Sequence, residues 1–145
     1  MTENFKRIFL DTSPIIYFFD ENSIFREKSA KILDTLLIQN CRFVTSAITC
    51  MEYLVLPYRK KIFTAIDNFW KFLDEYKVAV CKIDNPIAVK AAQIRAEYVN
   101  FKAMDSLQLA VACLSDCDLF LTNDKQLKNF KEIPCATVEE WSFTE

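Results

Sequence analysis

Short runs of consecutive apolar residues alternate along this chain with longer stretches in which apolar residues recur every three or four positions. A continuous apolar run of four to eight residues is typical of a buried strand, whereas the longer spacing indicates one face of a helix. The runs predict strands at 7–10, 42–45, 78–83 and 118–122, with a fifth, less distinct one at 136–138.

Between these runs, the apolar residues recur at the spacing of a helix, which predicts a helix in each interval. Ser13 is expected to cap the first helix, with Pro14 at its first helical position. Ser46 is expected to cap the third helix, and Asp84 or Asn85 the fifth. The predicted helices begin at 13 and then occupy 24–38, 46–58, 61–75, 85–98 and 104–114.

Two of these helices have apolar faces wide enough to define a core. Strands that alternate with helices are joined by crossover connections, which favour a mainly parallel sheet covered on both sides. We therefore predict an α/β fold: one three-layer α/β/α domain over 1–145 with a central sheet of four or five strands. The two faces comprise Ile24, Ala30, Leu33, Leu36 and Leu37 in the second helix, and Phe63, Ile66, Phe69, Trp70 and Leu73 in the fourth.

Two residue types are absent from the sequence, which contains neither histidine nor glycine. Without histidine, the chain cannot form a Ser-His-Asp triad, a Cys-His pair or a histidine-ligated zinc site. Without glycine, it lacks the Walker-type phosphate loop and the G-x-G-x-x-G dinucleotide turn. Turns that need left-handed backbone angles are expected at Asn and Asp, such as Asn40 at the end of the second helix.

The net charge and the cysteine content indicate how the protein could contact nucleic acid and in which compartment it is expected. The net charge of −2 excludes a general basic surface, so any nucleic-acid contact must use local patches. The six cysteines lie mostly in apolar stretches and include no C-x-x-C pair, which indicates reduced thiols in a cytoplasmic protein. No signal peptide is evident, and no apolar run reaches the roughly 18 residues needed to span a bilayer.

Four acids stand where a parallel sheet places its ligand site. Asp11 directly follows the first predicted strand, and Asp124 lies just after the fourth. Asp105 begins the helix that leads into that fourth strand, and Glu52 lies in the second turn after Ser46. Because ligands bind beyond the carboxyl ends of parallel strands, all four side chains are expected to converge there.

The sequence neighbours of two of these acids favour a functional role over that of an ordinary solvent-exposed residue. Glu52 and Asp105 are embedded in apolar sequence, so each is expected at a core-facing position. Two carboxylates about 5 Å apart repel by roughly 3 kcal/mol at an effective dielectric of 20, so four together need either protonation of some of them or a divalent cation between them. An all-oxygen site suits Mg²⁺ or Mn²⁺ better than zinc. Metal-assisted phosphodiester hydrolysis follows as a hypothesis.

At these residues the chain resembles the PIN-domain nucleases, and most closely those of the VapC type, the toxins of toxin–antitoxin pairs. The resemblance spans nearly the whole chain, because the order and spacing of four segments both fit. These segments are LDTSPIIYFF, TSAITCMEYL, AMDSLQLAVA and LFLTND.

The resemblance implies a divalent-metal endoribonuclease whose metal-binding and catalytic acids are Asp11, Glu52, Asp105 and Asp124. It also implies a homodimer and a cognate antitoxin that wraps the toxin. An exposed aromatic tract around Phe63, Phe69, Trp70 and Phe72 is a candidate for such an interface, although core packing is the better explanation for any one of these residues. Polar neighbours that match family positions are Thr12, Ser13, Thr122 and Asn123, and RNA contacts are expected from Lys102, Lys125 and Lys128, or from the cluster Arg59, Lys60 and Lys61.

Two alternatives remain open at this point. A phosphatase or a phosphate-accepting receiver built on Asp11 would share the sheet, but Ser13 occupies the place of the second phosphatase aspartate. A PIN-like module that binds RNA or protein without cutting is the second alternative. The retention of all four acids favours the nuclease, because stacked negative charge has no use in a site without catalysis.

Overall fold

The computed structural model describes residues 4–143 and contains five strands in that range. The predicted strands are confirmed, with ends that differ by up to two residues. They are β1 (Arg7–Leu10), β2 (Arg42–Ser46), β3 (Ala79–Cys81), β4 (Leu119–Thr122) and β5 (Cys135–Thr137).

Within the described residues, six α-helices connect the strands, as predicted, and a short 3-10 helix that was not predicted follows β4. None of the helices in this part of the chain is long and apolar enough to cross a bilayer. The helices are α1 (Thr12–Phe19), α2 (Arg26–Ile38), α3 (Ala47–Lys60), α4 (Phe63–Glu75), α5 (Asn85–Glu97) and α6 (Ala103–Leu114), and the 3-10 helix is Lys125–Asn129.

All five strands run parallel in the order β3-β2-β1-β4-β5. The sequence order therefore proceeds outward from β1 in one direction to β3, and then in the other direction to β5. Phe9 of β1 pairs with Val44 on one side and Phe120 on the other. The direction of winding changes between β1 and β4, and a crevice opens beyond the carboxyl ends of strands at such a switch point.

Alternate residues of the central strands supply two separate cores. Ile8 and Leu10 point to the side covered by α1, α2 and α4. Phe9 points to the opposite side, covered by α5 and α6, where it stacks on Phe120 with ring centroids 5.0 Å apart. The predicted three-layer α/β/α arrangement is confirmed, because the central strands β1, β2 and β4 bury residues on both of their faces.

The start of α1 differs from the prediction. The cap is Asp11, whose side chain accepts a hydrogen bond from the backbone N–H of Thr12 at 2.9 Å, so Ser13 lies inside the helix. Pro14 is consequently the third helical residue rather than the first. This position tolerates proline, because the N–H groups of the first turn have no partner within the helix.

Three residues predicted to face the core are exposed instead. Ile24 is 88% exposed, because residues 20–25 form a turn and α2 begins only at Arg26. Phe63 and Trp70 of α4 are 64% and 47% exposed. The buried face of α4 consists of Ile66, Phe69, Phe72 and Leu73, so only part of the aromatic tract remains on the surface.

Four helices end in the same glycine-free turn. Asn40, Lys61, Lys77 and Asp116 all adopt positive φ, between 53° and 63°. In each case the next residue donates its N–H to the carbonyl five positions back, as Val78 does to Leu73 at 2.8 Å. This is the Schellman arrangement, which usually has glycine at the left-handed position. The prediction that Asn and Asp provide these turns holds at two of the four positions and is wrong at the two lysines.

The cysteines are all free in the described part of the chain, as predicted. Cys41 and Cys117 are buried, and the other four are half-buried.

Candidate active site

A pocket of about 610 Å³ opens at the switch point between β1 and β4. We call it the acidic pocket, because all four predicted carboxylates line it. The four predicted polar neighbours line it as well, together with two residues that the sequence did not indicate, Ile16 and Tyr17. The predicted members are Asp11, Glu52, Asp105, Asp124, Thr12, Ser13, Thr122 and Asn123.

Asp11 lies at the base of the acidic pocket and is only 9% exposed. Its Oδ1 accepts a hydrogen bond from the Thr12 backbone N–H at 2.9 Å, and its Oδ2 accepts one from the Thr122 hydroxyl at 2.8 Å. Burial raises the pKa of Asp11 to about 6, against the lowering effect of these two hydrogen bonds, and the charges of Asp105 and Glu52 raise it further. The anionic form therefore lacks a positive partner.

Asp105 and Asp124 line the acidic pocket from two other segments of the chain. Asp105 lies in the first turn of α6 and is half-buried. Burial is the largest of the causes that raise the pKa of Asp105. The negative charges of Asp124 and Glu52 raise this pKa as well, whereas the positive charge of Lys102 lowers it. Asp124 is exposed and caps the 3-10 helix by accepting from the N–H of Gln126 at 3.0 Å. The acids thus interact electrostatically across the pocket.

Glu52 lies in the second turn of α3, as predicted, but it is exposed rather than core-facing. The prediction of a core-facing position is wrong because it assumed that the apolar neighbours of Glu52 are buried. Met51 and Val55 are in fact 52% and 49% exposed. Helix α3 buries only Ile48, Thr49 and Pro57. The Glu52 carboxylate is held at the pocket by the hydroxyl of Thr12, which donates to Oε1 at 2.6 Å.

The donor set fits a hard divalent cation. None of the ion pairs within residues 4–143 involves a pocket acid, and all four side chains offer oxygen only. In the described side-chain positions, no three of the acids are close enough to ligate one ion together. Mg²⁺ keeps several waters and binds directly to only one or two carboxylates, so such a spread set suits it, with the remaining acids acting through water.

The predicted RNA-binding lysines lie outside the acidic pocket. Lys102 immediately precedes α6 and is exposed. Lys125 pairs with Glu139 at 3.0 Å, and Lys128 pairs with Glu140 at 3.0 Å. The Arg59–Lys61 cluster lies at the far end of α3, two turns beyond Glu52.

Tyr17 is a pocket residue that the sequence analysis missed. Its hydroxyl accepts a hydrogen bond from Asn123 Nδ2 at 3.0 Å, while Ser13 Oγ accepts one from the Asn123 backbone N–H at 3.1 Å. Ser13 and Tyr17 are four residues apart on α1 and therefore share a face. That spacing is the signal that would have identified Tyr17 from the sequence.

A second depression adjoins the acidic pocket and shares Ile16 and Glu52 with it. We call it the apolar groove; it has a volume of about 540 Å³ and runs between α1 and the second half of α3. Its other lining residues are Phe19, Asp20, Tyr53, Leu56, Pro57 and Ile62.

Comparison with known proteins gives consistent matches over most of the chain. Residues 8–133 match the PIN domain family. Ribonuclease VapC1 from Aquifex aeolicus (strain VF5) is 27% identical to this chain over 142 residues, which cover 95% of this chain and 94% of the relative.

Solved structures give the same fold. A chain of a toxin-antitoxin complex from Klebsiella pneumoniae superposes with a TM-score of 0.70 at 24% identity, covering 90% of this chain and 97% of that one. A chain of FitAcB from Neisseria gonorrhoeae gives a TM-score of 0.74 at 22% identity, covering 92% and 99%. At these identities the two likenesses establish the fold alone.

Proposed function

This chain belongs to the PIN-domain family, and on that premise we propose that it is a divalent-metal-dependent endoribonuclease, the toxin of a toxin–antitoxin pair. The catalytic unit is one domain spanning 1–145. The single observation that carries the proposal is the acidic pocket: four carboxylates from four separate segments line one crevice, and none of them has an ion-pair partner among the described residues.

We assign Asp11, Glu52, Asp105 and Asp124 as the residues that hold the cation. When bound, Mg²⁺ or Mn²⁺ supplies an acidified water and neutralises charge on the phosphate and the leaving oxygen. Asp11 contributes a carboxylate whose two oxygens are each oriented by one hydrogen bond and retain free lone pairs. Asp105 and Asp124 add negative charge to the same pocket, which favours a doubly charged ion over a monovalent one.

RNA is proposed to enter across the rim of the acidic pocket. Lys102 is a suitable phosphate contact, because it is exposed next to Asp105 and its charge already reaches that carboxylate. Lys125 becomes available if it exchanges Glu139 for a phosphate, which costs little because surface ion pairs are weak. We assign Thr12, Ser13, Thr122 and Asn123 to positioning the acids and the phosphate at the same rim.

The toxin role requires a protein inhibitor, and the apolar groove is a suitable place for an antitoxin segment. It exposes Leu56 and Ile62, at 49% and 45%, directly beside the acidic pocket. A segment bound there would also cover Glu52, which lines both sites. We propose a homodimer through the exposed aromatics Phe63 and Trp70, and a cytoplasmic location in keeping with six free thiols.

Cleavage of a defined RNA mixture by purified protein, with and without Mn²⁺, tests the proposal. Asp11→Asn should lose at least a hundredfold in rate, because the cation loses a buried anionic ligand. Asp67→Asn, which removes an exposed acid of α4 outside the pocket, should cleave like the wild type. Equal RNA loss with wild type and Asp11→Asn would reveal a contaminating nuclease, and RNA that is bound but left intact would indicate a binding module instead.

A further inference from the structure

A row of five polar side chains lies beneath the acidic pocket and ends at one of its carboxylates. Ser46 contacts Gln108 Oε1, and Gln108 Nε2 lies 2.8 Å from Thr49 Oγ1. Thr49 Oγ1 lies 3.2 Å from Thr12 Oγ1, which in turn contacts Glu52 Oε1 at 2.6 Å. We call these five residues the polar row. The first four are at most 7% exposed, so water does not supply their hydrogen bonds.

The direction of every hydrogen bond in the polar row follows from its carboxylate end. The Thr12 hydroxyl donates its single proton to Glu52 Oε1. The bond between Thr12 and Thr49 must therefore use the proton of Thr49. Thr49 is left to accept, and only the amide nitrogen of Gln108 can donate to it.

The orientation of the Gln108 amide is fixed in the same way. With its nitrogen directed at Thr49, its oxygen faces Ser46, whose hydroxyl donates to it. Ser46 Oγ still accepts from the backbone N–H of Ile48 at 3.1 Å, as the cap of α3. An amide is the side chain that offers a donor and an acceptor on opposite arms, so a hydrocarbon or carboxylate here would interrupt the row.

The position of Gln108 is otherwise an apolar one. It lies on α6 immediately before Leu109, Ala110 and Val111, each of which is 0% exposed, and is itself 1% exposed. A buried amide costs free energy unless all its groups are hydrogen-bonded, and an apolar side chain of similar size would avoid that cost. Packing alone therefore does not account for a glutamine at this site.

The polar row connects three helices that carry pocket acids or their neighbours. Gln108 lies one turn after Asp105 on α6, Thr49 lies on the same helix as Glu52, and Thr12 directly follows Asp11. Glu52 is exposed, and its bond to Thr12 is the one side-chain hydrogen bond that the described residues provide for its carboxylate. Without that bond, the long side chain would sample several rotamers in solvent.

We propose that Gln108 is a positioning residue of the cation site: through Thr49 and Thr12 it holds Oε1 of Glu52 and leaves Oε2 free to bind the ion. This inference rests on the proposed function, because it assigns Glu52 to the cation. It predicts that breaking the polar row weakens binding of the ion even though no altered residue touches it.

The two substitutions of Thr49 separate hydrogen bonding from shape. Thr49→Val keeps the shape and removes the hydroxyl, whereas Thr49→Ser keeps the hydroxyl and removes a methyl group. Calorimetric titration with Mn²⁺ at fixed pH should show five- to tenfold weaker binding for Thr49→Val and for Gln108→Met. Thr49→Ser should stay within twofold of wild type. Binding by Thr49→Val within twofold, or equal weakening by Ser and Val, would overturn the inference.

A double-mutant cycle distinguishes positioning from a general effect on the fold. In a Glu52→Gln background, Thr49→Val should weaken Mn²⁺ binding no further, because the carboxylate that the row positions has been removed. Additive losses in the double variant would show a structural effect alone and refute the positioning role. If the wild type binds no Mn²⁺, the metal site itself fails and the inference with it; if the wild type binds and cleaves while the row variants bind normally, the inference alone fails.

Discussion

The Thr122 hydroxyl donates a hydrogen bond to Oδ2 of Asp11 at 2.8 Å, across 111 residues of sequence. The same hydroxyl oxygen accepts the backbone N–H of Asp124 at 3.1 Å. One threonine at the end of β4 thereby links the buried acid after β1 to the loop that carries another pocket acid. The winding of the sheet makes this contact possible, because β1 and β4 are adjacent although most of the chain separates them.

Replacing Thr122 tests that link. Thr122→Val should raise the pKa of Asp11 above about 6, because the lost hydrogen bond is one of the two that favour its charged form. A rise of about one pKa unit lowers the ionised fraction at pH 6.5 about threefold, so cleavage at pH 6.5 should fall by about that factor and recover at pH 8. Thr122→Ser is the matched control and should keep the wild-type pH profile. Identical profiles for Val and Ser would show that the hydroxyl does not act on Asp11.

Metal-free stability should depend on pH through Asp11. Its pKa is about 6 in the folded protein against an ordinary value of 3.8, so the folded state binds this proton more tightly than the unfolded state. The free energy of unfolding should therefore fall as the pH rises from about 4 to about 6 and then level off. The difference corresponds to about 3 kcal/mol at about 1.4 kcal/mol for each pKa unit.

Urea unfolding in EDTA at several pH values measures this effect. Asp11→Asn has no titrating group at the position, so its stability relative to wild type should increase by up to about 3 kcal/mol between pH 4 and pH 7. Acids that do not interact with Asp11 are common to both proteins and cancel in the comparison, whereas the coupling of Asp11 to Asp105 and Glu52 is part of the measured difference. A constant difference between the two proteins across this window would contradict the raised pKa.

The glycine-free helix ends predict a stabilising substitution. Lys77 adopts φ of 53°, and a left-handed backbone costs an L-residue with a side chain roughly 1–2 kcal/mol. Lys77→Gly should therefore raise the free energy of unfolding by up to about 1 kcal/mol, after the entropy that glycine adds to the unfolded chain. Asn40→Gly should gain less, because asparagine tolerates this conformation better. Thermal or urea unfolding would detect the difference, and a destabilised Lys77→Gly would refute it.

The exposed aromatics of α4 predict where copies of the chain associate. Trp70 is 47% exposed and Phe63 is 64% exposed, whereas Phe69 between them is buried. If the proposed homodimer uses this face, Trp70→Glu should shift the protein to the monomer mass in light scattering at micromolar concentration. Its melting temperature in dilute solution should change little, because the core is untouched. If the Trp70→Glu protein remains dimeric, the dimer interface lies on another surface.

The sequence predicts those features of the site that depend on local chain geometry. Asp11 and Asp124 directly follow strands, and parallel strands bring their carboxyl ends to one edge, so convergence followed from position alone. The same reasoning did not find Gln108 or Thr49. A residue on an apolar helix face shows no local sign that its amide meets a hydroxyl 59 positions away.

Exposure was the property that local pattern predicted least well. Glu52, Phe63 and Trp70 all occur in apolar surroundings and all reach the surface. Periodicity identifies which residues share a face of a helix, but the neighbouring elements decide which face is covered. Helix α3 is covered by few neighbours, so its apolar residues line a groove rather than a core.

The amino-acid sequence by itself determined the order of strands and helices, the parallel sheet and the edge at which four acids meet, because these follow from spacing within short segments. Tertiary structure alone decided that Asp11 is the buried acid and caps α1, that Glu52 is exposed, and that a polar row joins it to Gln108. Burial and hydrogen-bond partners depend on which distant segments pack together, and that information exists only in the folded chain.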